Sequence, residues 1–423
     1  MDAAKTRRGE CKTPGGKLVA VNIICDAGGT IQSCQIDGDF FIESADDAAS
    51  TQYLQALAQA LMAGQSVQSS VQSVQSVQSS VQSSVQSSIQ SVIDDHPDCR
   101  LIGTDAAAIA TAFARAITAA AALARDTNPS QSRAAHLSQP SRQQNPSSAS
   151  HLSHLSHADA DADYAERWKQ LEHSLVMFHD HPRMPEEQMR IDEAWAREVA
   201  AGTRRPTLRI WEWAAPAVVI GRFQSAADEV NLDVAERLGF HVVRRCTGGG
   251  TMFIEPGNTI TYSLYAPLDF VQGMSIEESY RLCDWWLIDA LRRLGLDVHF
   301  AGLNDLASQY GKIGGAAQRR FPISHVDRLG QVADAGSSSR AAGVHGGAVL
   351  HHVTMAYDID ATKMTQVLNT SREKLADKAV KSAVKRVDPL KSQTGLSREQ
   401  IVSHLMRWFL RDYLTDYADE ARQ

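Results

Sequence analysis

Between Asp126 and Asp163 the chain runs through Ser, Gln, Asn, His, Ala and Asp with almost no large apolar residues. Such a stretch cannot bury enough surface to offset the entropy of ordering it. No core can run through it, so it reads as a linker (126–163) and the chain must fold as separate units, residues 1–125 and 164–423. A length of 423 residues agrees with two or three domains. His151, His154 and His157 recur every third residue in the linker and read as incidental, not as a metal site.

Outside the linker the composition is that of ordinary folded protein. Hydrophobic residues make up 43% and charged residues 22%, enough for a sizeable core under a solvated surface. The formal charge of −7 is spread out with no basic face, which argues against a nucleic-acid partner. Six cysteines (Cys11, Cys25, Cys34, Cys99, Cys246, Cys283) lack C-x-x-C spacing and read as reduced thiols. Met1 to Lys12 is polar with no apolar run behind it, so no secretory signal is expected and the expected location is cytoplasmic. The most apolar segment, Ala106 to Ala124, is mostly alanine with Arg115, Thr111 and Thr118, which predicts a helix and no membrane span.

In the N-terminal unit, residues 18–25 and 31–36 predict two strands around a turn at Asp26-Ala27-Gly28-Gly29. Helices are expected near 48–63 and after Thr104, giving a small α+β unit. Residues 65–92 repeat Ser-Val-Gln with valines three or four apart, a spacing that would make one narrow apolar stripe on a helix. Serine and β-branched residues are poor helix formers, so the expectation is a low-complexity insert in a surface loop.

Residues 164–423 predict a mixed α/β domain. Helices are expected over 186–201 and near 228–238, and strands over 207–213 and 217–222. Ser275 with Glu278 and Ser397 with Gln400 have capping-box spacing, and Leu396 with Ile401 supply a hydrophobic staple for the last helix.

Three clusters carry chemistry. In His241 to Tyr265, two strand-like runs flank Arg244, Arg245 and the triplet Gly248-Gly249-Gly250; glycine lets backbone amides approach a ligand, and arginine neutralises phosphate or carboxylate oxygen. Alone, a hairpin turn would explain it, since the lysine of a phosphate loop and the helix-opening spacing of a dinucleotide fingerprint are missing. In Gly302 to Arg320, Lys312 lies in a turn bounded by Gly311, Gly314 and Gly315. In the run from Val349 to Asp360, His351 and His352 must point to opposite faces of a strand, one of them packed.

Taken in order, MRIDEAW (189–195), APAVVIGRFQ (215–224), RRCTGGGTMF, NDL, GKIGGAAQ, LHHVT and the segment Glu373 to Val387 resemble the catalytic domain of the lipoate-protein ligase A family, in the biotin/lipoate ligase superfamily. The resemblance implies an α+β (mixed α/β) fold with a mixed sheet and flanking helices. It implies ATP-dependent activation of lipoate and transfer of the lipoyl group to an acceptor lysine. By the same resemblance Lys312 contacts lipoate and nucleotide, Arg245, Gly250, Thr251, Met252 and Phe253 contact ATP, and Arg244, Gly248, Gly249 and His352 contact lipoate. Asp305 is the candidate for Mg²⁺ on the phosphates, because hard cations prefer carboxylate oxygen. ATP is a co-substrate and no tightly bound cofactor is expected. The implied partners are lipoyl-acceptor domains: the acyltransferase subunit of a 2-oxoacid dehydrogenase, the glycine-cleavage H protein, or a lipoate-binding protein.

Two positions depart from the family's pattern: its His-Asp after the glycine loop is Ile254-Glu255 here, and its HHGT is His351-His352-Val353-Thr354. TPGGKLVAV and IDGDFF in the N-terminal unit resemble the family's small accessory domain, which assists activation and is expected to dock on the catalytic domain. Lys17 in PGGK reads as part of a turn before a strand. Two alternatives share the fold. An octanoyltransferase or lipoyl-amidotransferase needs an activated thiol, and residues 298–312 contain none, while Cys246 reads as a small hydrophobe. A non-catalytic lipoate-binding protein would have no need of Lys312 and the glycine loop.

Overall fold

The computed structural model describes residues 5–13, 15–26, 30–44, 46–63, 74–126, 157–323, 346–369 and 388–409. The segment Glu373 to Val387 and most of the linker lie outside the described residues.

The polar opening of the chain is a strand, β1 (Lys5–Lys12), which pairs antiparallel with β2 (Leu18–Cys25); β2 pairs with β3 (Ile31–Gly38). A short pair, β4 (Phe41–Glu43) and β5 (Arg100–Ile102), is antiparallel too. Helices α1 (Asp47–Ala63) and α3 (Ala106–Asp126) cover the three-stranded sheet, and α2 (Val74–Asp95) packs on both of them. Alanine makes α3 thin, and Gly9 makes β1 bare. A Cβ on Gly9 would stand 2.1 Å from the Ala112 carbonyl oxygen, so the two backbones meet almost directly.

The loop expected over 65–92 is corrected from Val74 onward, where α2 is a helix. Val85 and Ile89 are fully buried in the core shared with Tyr53, Leu57, Ile109 and Phe113, and Gln82 Nε2 donates to Thr111 Oγ1 at 2.8 Å. Burial of two branched side chains outweighs a few tenths of a kcal/mol per residue of poor helix propensity, because each buried aliphatic contributes roughly 1.5–3 kcal/mol.

The expected linker ends early. Helix α4 (His157–Glu172) begins inside it, and its Tyr164, Trp168 and Leu171 are buried in the main core. The Trp168 indole N–H donates to the Leu282 carbonyl at 2.8 Å.

The C-terminal unit is a mixed α+β fold built on a seven-stranded sheet of order β12-β13-β14-β15-β11-β7-β6. Its members are β6 (Val176–Arg183), β7 (Thr207–Trp213), β11 (Thr259–Pro267), β12 (His299–Ala301), β13 (Asp305–Ala307), β14 (Lys312–Pro322) and β15 (Gly347–Ala356). All neighbours are antiparallel except β6 and β7. A smaller sheet holds β8 (Ala217–Ile220) between β9 (His241–Arg244), parallel, and β10 (Met252–Ile254), antiparallel. The single helix expected near 228–238 is two short ones, Ala226–Glu229 and Leu232–Arg237, the second capped by Asn231.

Helices pack on both faces of the large sheet. On one side lies α5 (Pro185–Ala200); on the other lies α8 (Ile276–Arg292), burying Tyr280, Cys283, Leu287 and Leu291. The Ser275–Glu278 and Ser397–Gln400 capping boxes are both closed, each cap side chain stabilising its helix by about 1 kcal/mol. No helix among the described residues is long and apolar enough to cross a membrane.

Candidate functional site

A cavity of about 420 Å³ opens between the two sheets and the N-terminal unit. That volume lies within the range of small-ligand pockets. Trp211 and Trp213, ring centroids 4.9 Å apart, line its apolar part with Met189, Val219 and Ile313. Lys12, Lys17, Arg245 and Lys312 line its polar part, against the carboxylates of Asp39 and Asp305. Four cations against two anions favour an anionic occupant.

Lys312 is not in a turn, as the sequence suggested, but is the first residue of β14, with Gly314 and Gly315 inside the strand. The strand is bare there for packing reasons: a Cβ on Gly314 would lie 2.5 Å from the Thr354 carbonyl oxygen on β15. A Cβ on Gly315 would meet the Asp305 and Lys312 side chains at ordinary contact distance, so the wall beside the lysine stays open. Lys312 Nζ pairs with Asp305 Oδ1 at 2.9 Å, both side chains about one-third exposed.

His352 lines the cavity and His351 faces away, as alternation along a strand requires. His351 is packed under α8, with Nε2 2.7 Å from Asp284 Oδ1. His352 belongs to a chain of hydrogen bonds: Nδ1 lies 2.6 Å from Asp192 Oδ2, and Nε2 lies 2.8 Å from Thr247 Oγ1. Asp192, wholly buried on α5, also accepts from Ser263 Oγ at 2.7 Å and Tyr265 OH at 2.6 Å. Burial alone would raise its pKa, yet His352 and these hydroxyls hold it below the ordinary carboxylate value. Thr247 Oγ1 in turn accepts from Arg245 Nε at 3.0 Å.

That chain orients Arg245. Its guanidinium donates to the carbonyls of Gly248 (2.7 Å) and Gly250 (2.9 Å), holding the glycine loop in shape from beneath. Burial lowers its pKa to about 10, so it stays charged at neutral pH.

Of the sequence-predicted residues, Lys312, Asp305, Arg245, Gly250, Thr251, Met252, Phe253 and His352 share the cavity wall. Arg244, Gly248 and Gly249 are not among the residues that line it. Arg244 instead donates to the carbonyls of Gly221, Arg222 and Gln224 at 2.7–2.9 Å. Gly248 and Gly249 are covered by the N-terminal unit: a Cβ on Gly248 would lie 2.6 Å from the Phe40 carbonyl oxygen and 2.8 Å from the Phe41 ring.

That unit sits on the site through the segment Gly38 to Phe41. Gly38 N–H donates to the Phe223 carbonyl at 3.0 Å, Gln224 Nε2 donates to Asp39 Oδ1 at 2.7 Å, and Phe40 stacks on Phe223 at 5.3 Å. Asp47 pairs with Arg222 at 2.5 Å and with Arg319, Glu43 pairs with Arg320 at 2.9 Å, and Arg8 pairs with Asp228 at 2.9 Å. Sequence reasoning gave no role to Asp192, Gln224 or Asn304 and read Lys17 as part of a turn; all four lie inside quoted motifs, and only their three-dimensional partners reveal their work.

No cysteine lines the cavity. Cys246, next to Arg245, has its thiol pushed up to about 12 by burial and the nearby Asp192 carboxylate, the reverse of nucleophile activation. Among the described residues no three His, Cys, Asp or Glu side chains gather to hold a metal. The carboxylate of Asp305, the expected magnesium residue, is paired with Lys312.

A family model described as the lipoyl protein ligase A/B catalytic domain matches residues 184–324 and 336–410, more than half of the chain, and leaves the N-terminal unit outside. Lipoate-protein ligase A subunit 1 of Thermoplasma acidophilum is 29% identical over 229 residues, covering 54% of this chain and 80% of that protein. An octanoyltransferase LipM of Kyrpidia tusciae is 28% identical over 227 residues, covering 52% and 80%. Among solved structures, a bipartite lipoate protein ligase studied with its E2 lipoyl domain from Thermoplasma acidophilum is 26% identical. It covers 56% of this chain and 81% of that one, at a TM-score of 0.40.

Proposed function

We propose, from the premise that this chain belongs to the lipoyl protein ligase A/B catalytic-domain family, that it is an ATP-dependent lipoate-protein ligase acting on the lysine of a lipoyl-acceptor domain. The observation that carries the choice is the cavity wall: it offers lysine and arginine to an anionic substrate and no thiol to a covalent intermediate.

In the first step a lipoate carboxylate oxygen attacks the α-phosphorus of ATP. The bond to the β-phosphate bridging oxygen breaks, and pyrophosphate leaves with its electron pair. Charge grows on phosphate oxygens, and the Lys312 ammonium in the cavity wall is the group to meet it, with the buried Arg245 charge behind the glycine loop adding to the field. The Asp192–His352–Thr247 chain keeps Arg245 and the glycine loop from rearranging as that charge grows. In the second step the neutral amine of the acceptor lysine attacks the acyl carbon, AMP leaves with the C–O electron pair, and the amine loses a proton. The apolar part of the cavity, with Trp211, Trp213 and Ile313, suits the alkyl chain and dithiolane ring.

Octanoyl transfer without ATP is favoured by the names of several relatives. Against it stands the cavity lining, which includes no cysteine to carry an acyl-thioester. Purified protein with ATP, magnesium and lipoate or octanoate should release pyrophosphate and add the acyl mass to an acceptor domain. Acyl transfer from an octanoylated carrier with no ATP requirement would replace the ligase reading by the transferase one.

A further inference from the structure

Lys17 belongs to the N-terminal unit, yet it reaches the cavity of the catalytic unit, and its placement is built. Gly16 N–H closes a turn on the Thr13 carbonyl at 2.9 Å, and Lys17 N–H donates to the Gly103 carbonyl at 2.6 Å. Gly103, at φ +86°, has no Cβ where the Lys17 stem passes; one would stand 2.4 Å from Lys17 Cγ. The stem is thus aimed over the Phe41 ring, with Nζ 5.9 Å from its centroid, to Asn304. Nζ donates to Asn304 Oδ1 at 2.5 Å, and the other end of that amide is fixed by donation to the Ala316 carbonyl at 2.6 Å. Asn304 and Asp305 are neighbours in the NDL motif, so Lys17 and Lys312 converge on one polar corner from two different units.

We propose that Lys17 is a second ammonium ligand for a nucleoside triphosphate, carried into the cavity by the N-terminal unit and acting with Lys312 on the phosphates. This rests on the ligase reading. Two ammoniums in one corner repel each other, and a multiply charged anion relieves that repulsion where a single carboxylate would do so only in part. Burial lowers the Lys17 pKa, and the charges facing it are Asp305 and Asp39, which favour its protonation, and Lys312 and Lys12, which oppose it. The triphosphate adds negative charge and so favours the charged form of Lys17. The inference gives the N-terminal unit a chemical task in adenylation, with no required part in the later transfer.

The test uses the full chain with Lys17→Met and Lys17→Arg. Lipoate-dependent pyrophosphate release by Lys17→Met should fall about 100-fold, the usual loss for one charged donor in a closed site. Transfer from synthetic lipoyl-adenylate to an acceptor domain should change less than about threefold, since the pyrophosphate contacts are no longer in play. Lys17→Arg should recover most of the release and move its alkaline limb to higher pH, because guanidinium keeps its proton where a buried ammonium loses it. Normal pyrophosphate release by Lys17→Met overturns the proposal, as does an equal loss in both steps, which would mark a structural residue. If the unaltered chain releases no pyrophosphate at all, the ligase reading falls and this proposal with it.

Discussion

The two sides of the cavity are held by different physics. On the sheet side the shaping groups are buried and bonded to one another: Asp192 accepts from three side chains, and Arg209, fully buried, bonds Asp180 at 2.8 Å and Gln188 at 2.6 Å. Removing one partner from such a set strands a buried charge, at a cost of several kcal/mol. On the N-terminal side the contacts include the Phe40–Phe223 stack, the Phe41–Tyr280 edge contact, hydrogen bonds of Gly38, Asp39, Lys17 and Ser50, and ion pairs of partly exposed side chains; Asp47, at the centre of three arginines, is 48% exposed. Pairs of that kind contribute roughly 0–1 kcal/mol each. Close fit of Phe40 and Phe41 against bare glycine does the rest. The sheet side is therefore expected to set geometry, and the N-terminal unit to be the side that a local change can unseat.

The largest expected effect lies on the sheet side. Lys312→Ala should lower lipoyl-adenylate formation by about 100-fold or more and leave the melting temperature close to that of the unaltered protein, since the side chain is partly exposed at the start of a strand. Adenylate formed at a normal rate would remove Lys312 from the chemistry and leave the two sides equal in importance.

On the other side, Gly248→Val should unseat the N-terminal unit without touching the cavity wall. A side chain there collides with the Phe40 backbone and the Phe41 ring. Overpacking of this kind costs about 1–3 kcal/mol, or roughly 5- to 150-fold in the docking equilibrium. Pyrophosphate release should fall by that factor while transfer from preformed adenylate persists. Equal loss of both activities would mean that the glycine loop serves the ligand directly and the seat is incidental.

This contrast also marks what was legible in the sequence. Periodicity and capping residues gave α1, α5, α8 and the last helix, because those signals are local. The resemblance, carried by ordered motifs, gave Lys312, Arg245 and His352 to one site, and the two sheets bring all three to one cavity. What escaped was set by partners far along the chain. That residues 40 and 41 arrive at Gly248 and Gly249 is something nothing local says. Lys17 looked like a turn residue, and its reach depends on Gly103. The helix at Val74–Asp95 depends on burial against α3, which no propensity scale contains.

Acid separates the two sides by a smaller amount. Burial would raise the Asp180 pKa, but hydrogen bonds from Arg183 and Arg209 hold it at about 2, below the ordinary 3.8. A carboxylate lowered on folding gives stability above its unfolded pKa and loses it as pH falls through the folded value, here between about pH 4 and pH 2. The amount is about 2 kcal/mol. Urea unfolding of the catalytic unit should show that loss, and Asp180→Asn should be less stable at pH 7 yet lack this part of the acid dependence. A variant with the unaltered acid profile would move the buried charge network out of the account of the rigid side.

The smallest effect should come from cutting the covalent connection between the two sides. A protease site placed between residues 130 and 150 lies outside the described residues and well clear of Tyr164 and Trp168, which α4 buries in the main core. The earlier linker boundary at residue 163 would have taken away part of that helix, so a deletion to 160 should cost stability where a cut at 140 should not. Cleaved after folding and assayed concentrated, the protein should keep its pyrophosphate release within about twofold, because the Phe40–Phe223 stack and the Asp39–Gln224 bond do not depend on the connection. On dilution the release should fall. A tether supplies an effective concentration on the order of millimolar, and a severed unit held by a few partly exposed contacts cannot match it. Transfer from preformed lipoyl-adenylate should stay level over the same dilution, since that step needs only the sheet side. If both activities dilute away together, the N-terminal unit supports the whole catalytic fold; if neither does, its seat is as firm as a core and the distinction between the two sides disappears.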